Sequence, residues 1–313
     1  MATGTFPTAT MSSTTLATSI PLIWGDKINE FYKIKLVIAD FFTDRSSELE
    51  GGGSALYTPN VTEMTAAVKS NATAVTLNNA TDTKVTLTVD QWYEVSFAIE
   101  DREAAQVKHS YYLQERYAQG AGYTIAKKLE VALATLFQGF STVIGASTTS
   151  LADSEIRAAI AALEGNGIDT TQDTAFFFHP NTFWKQIQNI DKFSLAVNSP
   201  SQDPTAKRPA ATLYGIPVFV SANIPYVSAT AGRYNALAHK DALHFATSPL
   251  GTGGSYAGDR GSMMTGKYGV RIQSNYIPEY LSTLTTADLL YGVVENRDNA
   301  GVSILTLSGV AAG

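Results

Sequence analysis

Residues able to do chemistry are few in this chain, and their spacing builds no catalytic pattern. The four histidines are His109, His179, His239 and His244. No two stand four apart on a helical pattern and no HExxH occurs, so a zinc hydrolase's paired imidazoles are missing. His239 and His244 flank Lys240-Asp241-Ala242-Leu243, where Asp241 would orient an imidazole; a turn between two strands accounts for the same residues. Gly51, Gly52 and Gly53 do not lead into the Gly-Lys-Ser/Thr of a phosphate loop. No Gly-x-Gly-x-x-Gly carries a strand into a helix. Gly253-Gly254-Ser255 approaches a nucleophile elbow, but Ala257 stands where its last glycine is required. Asn60, Asn71 and Asn79 open Asn-x-Thr patterns, which arise by chance in a Thr-rich segment that has no secretion signal. Cysteine is absent, which removes disulfides and thiolate metal sites. The expectation is a chain with no catalytic residue, no cofactor and no metal. The competing enzyme reading rests on residues 151–250 alone.

Composition points to a protein that meets its own kind. Of 313 residues, 44% are hydrophobic and only 16% charged, against ~25% charged in ordinary soluble domains. The length allows about two domains or one elaborated domain. Low charge implies that much of the surface faces other subunits. A net charge of −6 and a pI near 5.3 do not fit the basic stripe of a sequence-specific DNA binder. A mildly acidic container can still enclose DNA, because repulsion from phosphate prevents sticking. No stretch approaches the ~20 apolar residues of a membrane span. Residues 1–25 carry no charged side chain and are rich in Ser and Thr, and the first arginine is Arg45. They read as a flexible arm rather than a transit or secretory signal.

The elements follow from hydrophobic period. Residues 26–44 predict a short helix and an extended piece, and Gly51–Gly53 a flexible joint. Val85, Leu87 and Val89 alternate with Lys84, Thr86 and Thr88, a half-buried strand. Paired with Val75 and Leu77 across a polar tip at Asn78–Asp82, it predicts a long hairpin, with Tyr93, Val95, Phe97 and Ile99 as the returning strand. Ile125, Leu129, Leu133 and Phe137, spaced by four, predict a long helix over 101–138. Gly120 and Gly122 inside it imply a bend or a close inter-subunit approach. Residues 151–250 alternate: a helix capped by Asp153 and stopped by Gly165, a strand at Ala175–Phe178, a helix opened by Pro180, then strands at Ile216–Val220, Ala236–Ala238 and Leu243–Phe245. A loop covers Leu250–Ser262, and apolar strands follow at Ala287–Val294 and Val302–Leu307.

This order resembles the major capsid proteins of tailed bacteriophages. The resemblance is carried by Leu56-Tyr57-Thr58-Pro59, Thr83-Lys84-Val85-Thr86-Leu87-Thr88-Val89-Asp90-Gln91, Glu94-Val95-Ser96-Phe97-Ala98-Ile99-Glu100-Asp101, Leu213-Tyr214-Gly215-Ile216-Pro217-Val218 and His239-Lys240-Asp241-Ala242-Leu243-His244-Phe245-Ala246. It spans nearly the whole chain and implies an α+β protein with the HK97-type capsid fold. The parts would be an N-terminal arm (1–50), an extended β-hairpin loop (51–100), a peripheral domain with a long spine helix (101–150), an α/β axial domain (151–250) and a return to the peripheral domain in C-terminal strands (251–313).

The function so implied is a virion shell subunit, made in the host cytoplasm, that assembles into hexamers and pentamers around double-stranded DNA. Its partners would be itself, a separate scaffolding protein, a portal and a decoration protein, with no membrane. The short arm implies no large proteolytic cleavage. An encapsulin-like bacterial compartment, which encloses protein cargo, shares the fold and is the alternative. Val75, Leu77, Val85, Leu87 and Val89 are expected to contact a neighbouring subunit, with Gly51, Gly52 and Gly53 as a hinge. Arg102, Lys108, Arg116, Lys127 and Lys128 are expected to face packaged DNA, or else to pair with Asp101, Glu103, Glu115 and Glu130 on a solvated face. Some family members cross-link a loop lysine to an asparagine. Lys69, Lys84, Asn296 and Asn299 stand in the matching regions, but without the buried acid such a bond needs they read as ordinary surface residues.

Overall fold

Alternation and helical period sort the chain onto two six-stranded sheets, a separate two-stranded hairpin and one long helix. The computed structural model describes residues 36–49, 53–61, 64–77, 82–102, 110–187, 190, 212–227, 232–248, 263–265 and 270–308. In chain order they form α1 (Ile38–Phe41), β1 (Thr43–Asp44), β2 (Ala55–Val61), β3 (Asp82–Thr88), β4 (Gln91–Glu100), α2 (Ser110–Thr135) and β5 (Val143–Gly145). Then come α3 (Asp153–Gly165), β6 (Thr174–Phe178), α4 (Pro180–Lys185), β7 (Thr212–Leu213), β8 (Ile216–Val220), β9 (Gly232–His239) and β10 (Leu243–Ser248). The last strands are β11 (Met263–Thr265), β12 (Val270–Ile277), β13 (Ser282–Glu295) and β14 (Gly301–Leu307).

The first sheet is organised by β13. Along one edge β13 pairs with β4, from Ser282–Glu100 to Tyr291–Gln91. Along the other it pairs first with β12 and then with β10. On the face bearing Tyr93, Val95, Phe97 and Ile99 lies α2, with Phe97 and Tyr117 rings 5.6 Å apart. Ile125, Leu129 and Leu133, from the stripe read in the sequence, are buried on α2, and so is Ala121. The helix runs unbroken through Gly120 and Gly122. A Cβ on Gly122 would stand 3.8 Å from Ile272 of β12, so its close neighbour is in the same subunit.

The second sheet has the order β5-β14-β9-β6-β8-β7. All five residues of β6 are buried. Period two sends Phe176 and Phe178 to one face, against Ile156, Ala159 and Leu163 of α3. It sends Ala175 and Phe177 to the other, against Leu129 and Leu133 of α2 and Phe42. A strand covered on both faces reads as a continuous apolar run, which is why Ala175–Phe178 was legible. Each such side chain contributes roughly 1.5–3 kcal/mol on burial.

Several expectations are corrected. The hairpin arms are β2 and β3, paired from Ala55–Thr88 to Val61–Asp82; residues 64–77, with Val75 and Leu77, form no strand. β4 is not a returning arm of the hairpin, since its partner is β13. The second sheet takes β5 and β14 from outside residues 151–250, while β10, inside that range, belongs to the first sheet. The N-cap of α3 is Ala152, whose N–H is accepted by the Glu155 carboxylate at 2.9 Å. Asp153 is the first helical residue and pairs with Arg157 at 3.1 Å. Of the expected 101–138 helix, α2 supplies Ser110–Thr135 and a 3-10 turn Leu136–Gln138. The stretches 103–109 and 249–262 lie outside the described residues.

Candidate functional site

The apolar residues of the hairpin region divide into two groups. Leu87 and Val89 are 2% and 6% exposed and sit in a small cluster with Leu49 and Ala246, packed by Leu56, Leu290 and Val294. They are corrected from neighbour contacts to anchors on their own subunit, because the hairpin's root lies on β10 and β13. Val85 is half-buried. Val75 and Leu77 are open, at 67% and 87% exposed, and Met64 and Val68 join them at 64% and 95%. An exposed apolar group of this kind marks an interaction site. Of the expected hinge, Gly53 has φ +153° and meets only Leu49 at 3.6 Å; Gly51 and Gly52 lie outside the described residues.

The expected cations are only partly brought together. Arg116 is exposed and Lys127 half-buried on α2. Eleven residues is close to three helical turns, so the two share a face. Lys128 instead lies beside the first sheet, its Nζ 5.4 Å from the centre of the Tyr93 ring. Arg102 is exposed and precedes the helix. Lys108 and Glu103 lie outside the described residues.

Glu130 is not a surface counter-ion. It is fully buried on α2. Its carboxylate accepts the backbone N–H groups of Val37, Ile38 and Ala39 at 3.0, 3.1 and 3.3 Å, and the Ser221 hydroxyl at 3.2 Å. Burial raises its pKa, and the donors from Val37, Ala39, Ile38 and Ser221 pull it partly back. One side chain thus joins the start of α1 and the segment after β8 to α2. The sequence held no signal for it, because its donors are backbone amides some ninety residues away.

The histidines serve local structure. His239 Nδ1 accepts the Asp241 N–H at 3.2 Å, and its nearest Asp241 carboxylate oxygen is 3.9 Å away. Asp241 itself accepts from the Thr43 hydroxyl at 3.2 Å. His244 is buried on β10, and burial lowers its pKa. His179 caps α4, Nδ1 accepting the Asn181 N–H at 3.1 Å. Burial, then the charge of Arg233, push it down to about 4. His109 lies outside the described residues, as do Gly253, Gly254, Ser255 and Ala257. Among the described residues no group of three His, Cys, Asp or Glu could hold a metal ion. Lys69 donates to the Ser70 carbonyl at 2.8 Å, and Lys84 covers the Tyr57 ring at 4.5 Å. Asn296 donates to the Asp241 carbonyl at 3.1 Å, and the Asn299 carbonyl accepts from Asn166 at 3.0 Å. A polar hollow of about 380 Å³ is lined by Asn60, Asn296, Arg297, Asp298 and Asn299. Its carboxylate, Asp298, is taken up by the N–H of Ser141 at 2.7 Å.

The fold built from two sheets, a long helix and a two-stranded hairpin is similar to that of solved structures. Over 93% of this chain and 93% of the other, it matches a chain of the bacteriophage PhiM1 mature capsid with a TM-score of 0.69 at 11% identity. A chain of mycobacterium phage Che8 matches with a TM-score of 0.67 at 17% identity, over 91% of this chain and 96% of that one. The capsid structure of cyanophage P-SCSP1u matches with a TM-score of 0.65 at 13% identity, over 92% and 93%. This chain has the HK97-type capsid fold. No protein-family model and no curated protein matches the chain.

Proposed function

We propose that this chain is the major capsid protein of a tailed bacteriophage, a structural subunit and not an enzyme. The observation that carries the reading is the match to phage capsid chains over more than nine-tenths of both partners. The exposed Val75, Leu77, Met64 and Val68 support it, since a subunit of a closed shell needs an apolar surface that only a neighbour covers. Val75 and Leu77 contact the next subunit, and many identical weak contacts around hexamers and pentamers make the shell stable. Arg116 and Lys127 face the interior and touch packaged double-stranded DNA through its phosphates. The subunit is made in the host cytoplasm and ends in the virion, assembled with a separate scaffolding protein, a portal and a decoration protein.

The test is negative-stain electron microscopy of the protein expressed alone and with its neighbouring genes' products. Closed shells or hexamer and pentamer rings are expected, and nuclease-protected DNA inside them identifies a phage. Shells filled with protein cargo would instead make it an encapsulin-like compartment. A monodisperse monomer under every condition would overturn the reading.

A further inference from the structure

The hairpin of β2 and β3 stands off the body, yet two contacts at its root fix its direction. The first is a three-pronged arginine. Arg45 is anchored by its own N–H, which donates to the Phe245 carbonyl on β10 at 2.9 Å. Its guanidinium forks onto Glu48, Nε to Oε1 and Nη2 to Oε2, each at 2.6 Å. The remaining nitrogen, Nη1, donates to the hydroxyl of Thr58 on β2. A planar guanidinium held by two parallel bonds has no freedom to follow a moving partner. The Arg45 side chain is 19% exposed and that of Glu48 47%, so the fork is partly open to solvent while the bond to Thr58 is the more sheltered contact.

The second contact is a seat. A Cβ on Gly292 of β13 would run into the Thr88 carbonyl oxygen and stand 2.8 Å from the Thr88 carbonyl carbon and 3.0 Å from Val89 Cα. The end of β3 therefore lies directly on bare backbone of the first sheet. Close by, the Val89 N–H closes the hairpin base on the Ser54 carbonyl at 2.9 Å, and Leu87 and Val89 fill the small cluster above Ala246. One contact holds the β2 side and the other the β3 side.

We propose that the Arg45–Glu48–Thr58 clasp and the Gly292 seat form a latch that sets the angle of the hairpin against the body, and that opening the clasp frees the hairpin to swing as a unit. The clasp is the releasable half, because among the described residues it reaches the hairpin through one hydroxyl. Glu48 is held below the usual carboxylate range by its hydrogen bond to Arg45. A carboxylate with a lowered pKa supports the folded arrangement at neutral pH and lets go as pH falls through its folded value. In acid, therefore, the Arg45–Glu48 fork weakens, and Nη1 is held towards the Thr58 hydroxyl by the Arg45 backbone anchor alone. Besides Arg45, the charge that acts on Glu48 is that of His244, and His244 in turn feels Arg45, Asp241, Glu48 and Arg297.

The chain has no cysteine, so spin labels can be placed at Lys84→Cys on the hairpin and Arg157→Cys on α3 without background. Full-length labelled chain is diluted in excess unlabelled chain, and the label-to-label distance is read by pulsed electron resonance. One narrow distance is expected at neutral pH. Thr58→Val, which leaves the Arg45–Glu48 fork untouched, and Arg45→Lys, which removes the fork, are each expected to replace that peak with a broad distribution. Unchanged circular dichroism checks that the variants fold. Gly292→Ala is expected to shift the mean distance, because the hairpin end must lift off β13. A narrow, unshifted peak in both clasp variants would overturn the proposal, whatever Gly292→Ala does. The outcome does not depend on whether the chain forms a shell.

Discussion

The second sheet and the hairpin loop draw on the same kinds of apolar residue and leave them in opposite places. In the second sheet, Phe176, Phe177 and Phe178 are fully buried, because α3 covers one face and α2 with α1 covers the other. In the loop, Val68, Val75 and Leu77 are more than half exposed, because no described element of the chain lies over them. The difference is one of neighbours rather than of composition. A region whose apolar residues find partners within the chain folds by itself. A region that keeps them outside carries its stabilisation forward to a later contact. That division ranks substitutions by where their cost should fall.

The largest effect on the unassembled subunit is expected at Phe177. Its ring lies 5.3 Å from those of Phe41 and Phe42, 5.5 Å from Phe137 and 5.7 Å from Phe219. It therefore joins the second sheet to both α1 and the 3-10 turn after α2. Phe177→Ala should cost about 3–5 kcal/mol, the range for truncating a core aromatic. Denaturant unfolding of the unassembled chain measures it. A cost below ~1 kcal/mol would mean that the sheet does not stand on its own packing.

Glu130→Ala comes next. It leaves the N–H groups of Val37, Ile38 and Ala39 without their acceptor, and a buried unpaired group costs about 1–3 kcal/mol; removing a carboxylate that burial disfavours offsets part of that loss. The loss should concentrate at the start of α1, where amide exchange at Val37, Ile38 and Ala39 is expected to rise while exchange in β6 stays slow. Equal acceleration in both places would show that Glu130 supports the core at large rather than this junction.

A smaller effect is expected from pH. Burial, then the neighbouring Asp298, push Glu295 up to about 7. A carboxyl whose folded pKa is raised holds its proton more tightly when folded than when unfolded. Its contribution is complete below the ordinary glutamate value and is lost as pH rises through about 7. Wild-type stability should fall across that interval, and Glu295→Gln should remove that part of the slope. Unfolding midpoints at a series of pH values decide it.

How much of this was legible follows from how far apart the partners are. Local period revealed the stripe of α2 through Ile125, Leu129 and Leu133, and the run at Ala175–Phe178, because each reports its own surroundings. The partner of β4 was not legible, since Leu284 and Ala98 meet across nearly two hundred residues and alternation says only that a strand has two faces. The same reason hid the split in the hairpin. Val85, Leu87 and Val89 alternate evenly, yet only Leu87 and Val89 reach the cluster with Ala246. Glu130 follows Leu129 in a charged stretch and looked like a solvated acid; what buries it arrives from residues 37–39 and 221.

The smallest effect on the subunit should have the largest effect on the particle. Leu77 is 87% exposed, so Leu77→Asp removes no packing from the isolated chain. Its unfolding free energy should stay within ~0.5 kcal/mol of wild type, as for surface positions in general. The same substitution puts a charge where a neighbour would bury an apolar side chain, and burying an unpaired charge is strongly unfavourable. Particle yield by electron microscopy should collapse while the soluble subunit remains folded. Val85→Asp, at a half-buried site on β3, should lower both yields, because it disturbs the hairpin itself. If Leu77→Asp assembles normally, the loop is not the surface that neighbours share, and the contrast with the second sheet loses its functional meaning. If it unfolds the subunit, Leu77 is covered within its own chain, and the contrast fails at its structural root.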